Sequence, residues 1–196
     1  LGNPWYDCRK IITSVVVSNG ITGIGRYAFS YCDRMTSVSI PESVSSISSD
    51  AFYKTMQLEK ITVDNNSQYF SNDDNGILFN KDKTLLICFP RNYQSNVGKY
   101  EIPLSVTAIG DYAFYGSNVT HLVIQDNVAS IGKGAFYNCV KLKKFEVKNN
   151  SVYSSYRNAL YNSAQTVLIC CPGGMYGSFA IPYGVTQIAD DALYGC

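Results

Sequence analysis

Within residues 35–47 the spacing between apolar residues changes once. Val38 and Ile40 are two positions apart, which is the alternation of a β-strand with one buried face. From Ile40 to Ile47 apolar residues recur after four and then three positions, which is typical of a chain that bends around a corner. Pro41 lacks an amide hydrogen and therefore ends the strand. The segment predicts a short strand followed by a corner.

The dipeptide Ala-Phe, or Ala-Leu in its last copy, follows this pattern repeatedly. Its five alanines are spaced by 23, 62, 22 and 57 residues: Ala28, Ala51, Ala113, Ala135 and Ala192. Short units of ~23 residues therefore alternate with long units of ~60 residues, the signature of a repeat protein. The segment between Gly25 and Cys32 is long enough for only one or two helical turns, so we expect a short helical or 3₁₀ return after each corner.

One such unit cannot bury its own apolar row, but stacked units can. Their strands would then form a parallel ladder with a rise of ~4.8 Å per coil. The inward row of this ladder is almost entirely aliphatic or aromatic: Val15/Val17, Val38/Ile40, Ile61/Val63, Leu122/Ile124 and Phe145/Val147. The sequence predicts a β-rich repeat solenoid with parallel strands on one face and short returns on the other.

The two long units contain the same additional segment. Residues 75–110 align with residues 158–189, and each segment has an apolar strand, a polar turn and a second strand ending at proline. The turn chemistry predicts a hairpin between Ile77–Phe79 and Thr84–Cys88. Loops 64–75 and 91–99 are expected to project from one edge, where repeat proteins often carry recognition.

Composition and charge narrow the classes of function. The formal net charge is +1 and the basic residues are scattered, which gives no electrostatic basis for binding nucleic acid. The longest apolar runs are far too short to span a bilayer, so we expect no membrane insertion.

No group of residues points to catalysis, to a cofactor or to a metal. Gly23-x-Gly25-x-x-Ala28 resembles a dinucleotide fingerprint, but the repeat explains each of its residues, and we interpret it as a repeat turn. The single histidine, His121, has no partner set for a base or for thiol catalysis. Seven cysteines match no zinc spacing, and those at fixed repeat positions are interpreted as small buried side chains.

The motif L-x-x-V-x-I-P-x-x-V-x-x-I-G-x-x-A-F-x-x-C, with interposed units ending in G-x-Y-x-I-P, resembles the BspA-type leucine-rich repeats over residues 11–196. Ser48 and Ala189 replace the glycine, and Leu193 replaces the phenylalanine. The resemblance implies one right-handed leucine-rich-repeat solenoid over residues 1–196. It also implies an extracellular or cell-surface location and a non-enzymatic role in adhesion to host proteins or other cells. We expect the chain to be part of a longer array.

The outward positions of the ladder are the predicted partner-binding surface, which we call the ladder face. Its candidate residues are Ser37, Ser39, Lys60, Thr62, His121, Val123, Lys144 and Glu146. This mixed, mildly basic strip suits a protein partner.

Two alternatives to protein binding stay open. Tyrosines along the returns would serve a carbohydrate-binding module if their rings stood free in a row, although such rings more often pack between coils. These tyrosines are Tyr27, Tyr31, Tyr53, Tyr112, Tyr115, Tyr137 and Tyr194. The chain would otherwise be a structural spacer for a domain outside it.

Overall fold

The computed structural model describes residues 8–93 and 98–196, and in these residues all regular structure is short β-strand, with no helix. In chain order the strands are β1 (Ser14–Val16), β2 (Gly23–Ile24), β3 (Ser37–Ile40), β4 (Ser46–Ile47), β5 (Lys60–Val63), β6 (Phe70–Asn72), β7 (Leu78–Asn80), β8 (Leu85–Cys88), β9 (Lys99–Glu101), β10 (Ala108–Ile109), β11 (His121–Ile124), β12 (Ser130–Ile131), β13 (Lys144–Val147), β14 (Tyr153–Tyr156), β15 (Ala159–Asn162), β16 (Val167–Cys170) and β17 (Gln187–Ile188). Part of the predicted loop 64–75 forms β6, and residues 94–97 of the predicted loop 91–99 lie outside the described residues.

The predicted parallel ladder is confirmed and is built from two three-stranded sheets. The first sheet has the order β1-β3-β5 and the second has the order β13-β11-β9. Ser14, Ser37 and Lys60 share one register position, and Lys99, His121 and Lys144 share another. The 23-residue repeat of the sequence is therefore the hydrogen-bonding register of the solenoid. We call this row of strands the first ladder.

A second ladder runs along the corner after each first-ladder strand. It consists of the parallel sets β2-β4, β8-β10-β12 and β16-β17. Here Leu86, Ile109 and Ile131 are in register, and Ile24 pairs with Ile47. The Gly23-x-Gly25 motif lies in this ladder and is followed by turns, so it lacks the long helix that dinucleotide binding needs.

The returns are consecutive turns instead of the predicted helical or 3₁₀ segments. Residues with left-handed backbone interrupt every return that carries an Ala-Phe or Ala-Leu pair, such as Tyr27 (φ 56°) and Tyr31 (φ 60°), and a right-handed helix cannot continue through them. The returns bond to each other from coil to coil instead. The Phe29 amide donates to the Ala51 carbonyl at 2.9 Å, and the Phe114 amide donates to the Ala135 carbonyl at 2.8 Å.

The same backbone hydrogen bond identifies two further positions that are equivalent to an Ala-Phe pair but are occupied by other residues. The amide of Phe89 donates to the Ala113 carbonyl at 2.7 Å, and the amide of Cys171 donates to the Ala192 carbonyl at 2.7 Å. Cys88–Phe89 and Cys170–Cys171 therefore hold the position of an Ala-Phe pair. We number the resulting coils 1 to 7 by the first residue of each pair: Ala28, Ala51, Cys88, Ala113, Ala135, Cys170 and Ala192.

Coils 3 and 6 are longer than the others because each contains a hairpin. The predicted antiparallel pairing of the first hairpin is confirmed, with Phe79 opposite Leu86, and β15 pairs with β16 in the same way. The turns between β6 and β7 and between β14 and β15 bond to the edge strands of the first-ladder sheets, β5 and β13. The Ile61 amide donates to the Gly76 carbonyl at 3.0 Å, and the Phe145 amide donates to the Asn158 carbonyl at 2.8 Å.

β7 and β15, each the middle strand of its antiparallel set, divide the apolar core of the described residues into three clusters. Leu78 packs with the residues of coils 1 and 2, whereas Ile77 and Phe79 pack with those of coils 3 to 5. Leu160 and Tyr161 separate the next pair of clusters in the same way. All five side chains are almost completely buried, so the stacked coils are joined through a strand that is apolar on both faces.

The two ladders are interrupted at different places. The first ladder has no pairing between β5 and β9, whereas the second has none between β4 and β8 or between β12 and β16. Consequently the second ladder opens between coils 2 and 3 and between coils 5 and 6. We call these two openings the first joint and the second joint.

Candidate functional site

The ladder face carries the predicted partner-binding residues at outward register positions. Ser37 is opposite Lys60, Ser39 is opposite Thr62, and His121 is opposite Lys144. Lys60, Thr62 and Lys144 are exposed, and the other polar candidates are partly exposed: Ser37, Ser39, His121 and Glu146. Their role in binding remains a prediction.

Val123 is the exception among the eight candidates, because its side chain is fully buried. Its register is as predicted, between Glu101 on one side and Glu146 on the other. Glu101 forms an ion pair with Lys99 and Glu146 forms one with Lys144, and we attribute the burial of the smaller valine to these longer neighbours on either side. Val123 is therefore not available to a partner, and its assignment as a contact residue is wrong.

The charged half of the ladder face is held by ion pairs between coils 4, 5 and 6. Glu101 lies 2.7 Å from Lys99 Nζ and 3.4 Å from Lys148 Nζ, and these bonds lower the pKa of its carboxyl group. Glu146 lies 3.5 Å from Lys144 Nζ and 3.0 Å from His121 Nε2. Partial burial raises the pKa of Glu146, but nearby positive charges, chiefly those of Lys99 and Lys144, outweigh this effect and lower the pKa.

His121 Nε2 lies close to the Glu146 carboxylate without a well-aligned hydrogen bond between them. The His121 side chain is about one-fifth exposed, so it is more buried than a side chain that stands free on the surface. Asp73, which lies in the turn before β7, accepts the Ile77 amide at 2.9 Å and so stabilises its own loop. Across residues 8–93 and 98–196, no three or more His, Cys, Asp or Glu side chains converge on a potential metal site.

The seven tyrosines of the returns form a continuous row of touching rings. Tyr53 contacts Tyr115 at a centroid distance of 4.7 Å, and Tyr137 stacks on Tyr194 at 4.4 Å. Lys54 Nζ lies 5.0 Å from the Tyr31 ring and 5.3 Å from the Tyr53 ring. The rings of this row pack against one another, as rings between coils do, while those of Tyr27, Tyr31 and Tyr194 are also exposed to solvent.

We call the first residue of each Ala-Phe pair or its equivalent the anchor. The cysteines that lie four residues after an anchor have a hydrogen-bonding role that the sequence analysis missed. Thr55 donates to the carbonyl of Phe29 at 3.0 Å, and the Cys139 thiol donates to the carbonyl of Phe114 at 2.9 Å. The thiol of Cys196 is 3.6 Å from the carbonyl of Cys171. Cys and Thr therefore occupy one column because each small side chain donates to the return of the preceding coil. The signal was present in the sequence as the exchange of Cys for Thr or Ser at this position.

We expect native thiols to react at two clearly different rates. All seven cysteines are described and none forms a disulfide; Cys8 and Cys196 are exposed. Burial raises the pKa of Cys88 to about 12 and that of Cys139 to about 11, from an ordinary 9.0. At pH 8 the thiolate fraction of Cys139 is then about a hundredfold below that of an unperturbed thiol.

Iodoacetamide labelling followed by peptide mass spectrometry measures these rates. Cys8 and Cys196 should be alkylated first, and the protection of Cys139 should persist until the pH approaches 11. In urea all seven cysteines should react alike, which controls for sequence effects. Equal native rates at Cys139 and Cys8 would contradict the buried column.

Comparison with known proteins agrees with this architecture. The family model of the BspA type leucine rich repeat region matches residues 3–83 and 87–196 in six copies. No curated protein matches the chain. Within the described residues, no helix is long and apolar enough to cross a membrane.

Three solved structures are similar to this chain. A leucine-rich repeat protein of Eubacterium ventriosum is 30% identical, with 98% of this chain and 48% of that chain covered and a TM-score of 0.59. A leucine rich cell surface protein of Faecalibacterium prausnitzii is 27% identical, with 99% and 54% covered and a TM-score of 0.66. The pneumococcal vaccine antigen PcpA, at 24% identity over 71% of this chain and 40% of that chain, shares the fold with a TM-score of 0.59. The chain thus spans about half or less of the length of these proteins.

Proposed function

The chain belongs to the BspA-type leucine-rich repeat family, and on this premise we propose that it is a non-enzymatic scaffold that binds protein partners through its ladder face. We further propose that it acts at the cell surface or outside the cell, in adhesion to host proteins or other cells. The description of the Faecalibacterium prausnitzii relative as a cell surface protein supports this location.

The observation that carries the proposal is the in-register display of polar side chains on a rigid ladder. Buried residues such as Val38 and Ile61 alternate with the outward residues and fix the backbone. Lys60 is then presented opposite Ser37, and Lys144 is presented opposite His121 with the Glu146 carboxylate 3.5 Å from its Nζ. Such a preorganised polar surface loses little conformational entropy when a protein partner binds.

Charge reversal on the ladder face tests the proposal. We expect the full chain to bind at least one member of a panel of purified extracellular-matrix and cell-surface proteins, measured by surface plasmon resonance. The double variant Lys60→Glu/Lys144→Glu should weaken that binding by more than about tenfold, because both cations would be reversed at the interface.

Lys141→Glu/Lys143→Glu is the matched control, since both lysines are exposed and lie just before β13 instead of on the ladder face. It changes the net charge by the same amount and should leave affinity within about twofold. Equal losses in the two double variants would show that only net charge matters and would refute a ladder-face site.

A further inference from the structure

The first joint is closed by aromatic side chains that reach across coil 3. Phe52 and Tyr53 come from coil 2, and Tyr112 and Tyr115 come from coil 4, above Cys88 of coil 3. Tyr53 contacts Tyr112 at 5.4 Å and Tyr115 at 4.7 Å, measured between ring centroids. The space left between them is only about 20 Å³, which does not admit a ligand.

The second joint has the same construction but is open. Phe136 and Tyr137 of coil 5 face Asp191 and Tyr194 of coil 7, above Cys170 of coil 6. Here the cleft measures about 490 Å³, within the range of small-ligand sites. By repeat position, Phe136, Tyr137, Cys170 and Tyr194 correspond to Phe52, Tyr53, Cys88 and Tyr115 of the first joint.

One replacement accounts for much of the difference between the joints. Tyr112 and Asp191 both immediately precede the anchor alanine, and both have left-handed backbone, with φ of 56° and 58°. In the first joint the Tyr112 ring packs edge-on against Tyr53. In the second joint Asp191 accepts a hydrogen bond from Tyr137, and no ring fills the corresponding space.

The chemistry of the cleft combines an aromatic wall with an acidic rim. Tyr137 and Tyr194 form a stacked pair at 4.4 Å, so their outer ring surfaces are held in fixed positions. Asp190, Asp191 and Lys133 are exposed and line the opening, which gives the rim a net charge of −1 when all three are ionised. An aromatic ring with a nearby cation complements both features.

We propose that the second joint is a binding cleft for an aromatic side chain of a protein partner, next to an arginine or lysine in the partner's sequence. This proposal rests on the proposed function, because it adds a second contact region to a protein-binding scaffold. The aromatic ring occupies the space that Tyr112 fills in the first joint, and the basic residue lies at Asp190 and Asp191. The pocket and charge favour a peptide segment over a neutral sugar.

The blocked dipeptide N-acetyl-Tyr-Arg-amide is the direct probe, titrated into the full chain and followed by protein-observed NMR. We expect chemical-shift changes centred on Tyr137, Tyr194 and Cys170. N-acetyl-Tyr-Glu-amide should bind about two- to fivefold more weakly, the size of effect that a solvent-exposed ion pair gives. The absence of shifts at these residues with the arginine peptide would overturn the proposal.

Asp191→Tyr tests the shape of the cleft by restoring the ring that the first joint has. Because the same backbone conformation carries Tyr112, the variant should keep its thermal stability while peptide binding falls by more than about tenfold. Asp191→Asn keeps an acceptor for Tyr137 and should retain peptide binding but lose much of the preference for arginine over glutamate. Unchanged peptide affinity in Asp191→Tyr would exclude the cleft as the binding site.

The cleft and the ladder face can fail independently. If the peptides do not bind, while Lys60→Glu/Lys144→Glu abolishes partner binding, the cleft proposal is refuted and the proposed function stands. If Asp191→Tyr abolishes partner binding and the lysine variant does not, the cleft proposal is supported and the ladder face is refuted as the principal surface.

Discussion

Replacing Phe114 with alanine should lower the free energy of unfolding by about 3–5 kcal/mol, the range found for buried phenylalanines. Phe114 is 1% exposed and lies in the middle of a column of rings that continues through coils 3, 4 and 5. Its centroid is 4.9 Å from that of Phe89 and 5.7 Å from that of Phe136. Truncation removes contacts with the coil before it and the coil after it, so two interfaces are weakened by one substitution.

Urea denaturation of the full chain, followed by circular dichroism, measures this loss. Leu104→Ala is a suitable control, because Leu104 is 64% exposed and its truncation should change stability by less than about 0.5 kcal/mol. A similar small change for Phe114→Ala would mean that the ring column does not join the coils. Coils 3 to 5 of the variant could also unfold before the others. Their backbone amides would then lose protection from hydrogen exchange first, which would agree with a ring column that joins these coils.

The column also shows why the sequence revealed five anchors and the structure seven. Phe89 stacks on Phe114 as the phenylalanine of a full anchor would, but it follows Cys88 instead of alanine. In coil 6 neither residue of the pair matches, since Cys170 and Cys171 replace both. What defines the position is a small residue followed by a buried one, together with a backbone bond, and pattern matching on Ala-Phe detects only one chemical solution. Alignment of the two prolines that follow, Pro90 and Pro172, was the available clue.

The strand register was predictable because it depends on side-chain alternation, whereas the returns were not. A strand with alternating buried residues, such as β3 or β5, tolerates only one register, and the 23-residue shift fixed it. The returns depend on left-handed backbone at Tyr27, Tyr31 and Tyr112, a conformation that costs roughly 1–2 kcal/mol for a residue with a side chain. Nothing in the identity of tyrosine indicates that conformation, and its trace in the sequence is the glycine that other coils carry at the same repeat positions, such as Gly134 and Gly116.

The sequence predicted which face of the ladder each candidate residue occupies, but it did not predict how deeply each side chain is buried. Alternation places Val123 on the outward face as reliably as Lys144. Whether an outward side chain meets solvent depends on the length of its neighbours in adjacent coils. One neighbour of Val123 is Glu101, which lies in a long unit and outside the pattern of the short units. The opening of the second joint has the same origin, since it requires comparing Asp191 with Tyr112 across the whole repeat array.

Adding one methyl group at Gly132 should destabilise the chain by about 1–3 kcal/mol, the usual cost of overpacking, with larger losses where backbone must move. A Cβ atom there would lie 2.4 Å from the Asp111 amide nitrogen and 2.6 Å from the Gly110 carbonyl carbon. These are backbone atoms of the preceding coil, so they cannot rotate away as a flexible side chain does. The Gly132 amide also donates to the Ile109 carbonyl at 2.8 Å, and separating coils 4 and 5 would weaken that bond.

Gly25 and Gly110 occupy the same repeat position and provide an internal series for this substitution. A Cβ at Gly25 meets no atom of residues 8–93 or 98–196 within 4 Å, and one at Gly110 lies 3.1 Å from the Leu86 carbonyl oxygen. Gly25→Ala should therefore leave stability unchanged or raise it by up to about 1 kcal/mol, by restricting the unfolded chain. Gly110→Ala should fall between the other two variants. The ranking by urea midpoint depends only on how closely successive coils approach, because the residue change and the repeat position are identical. If the three variants lose the same stability, then the glycine serves the local turn and not the packing of one coil on the next.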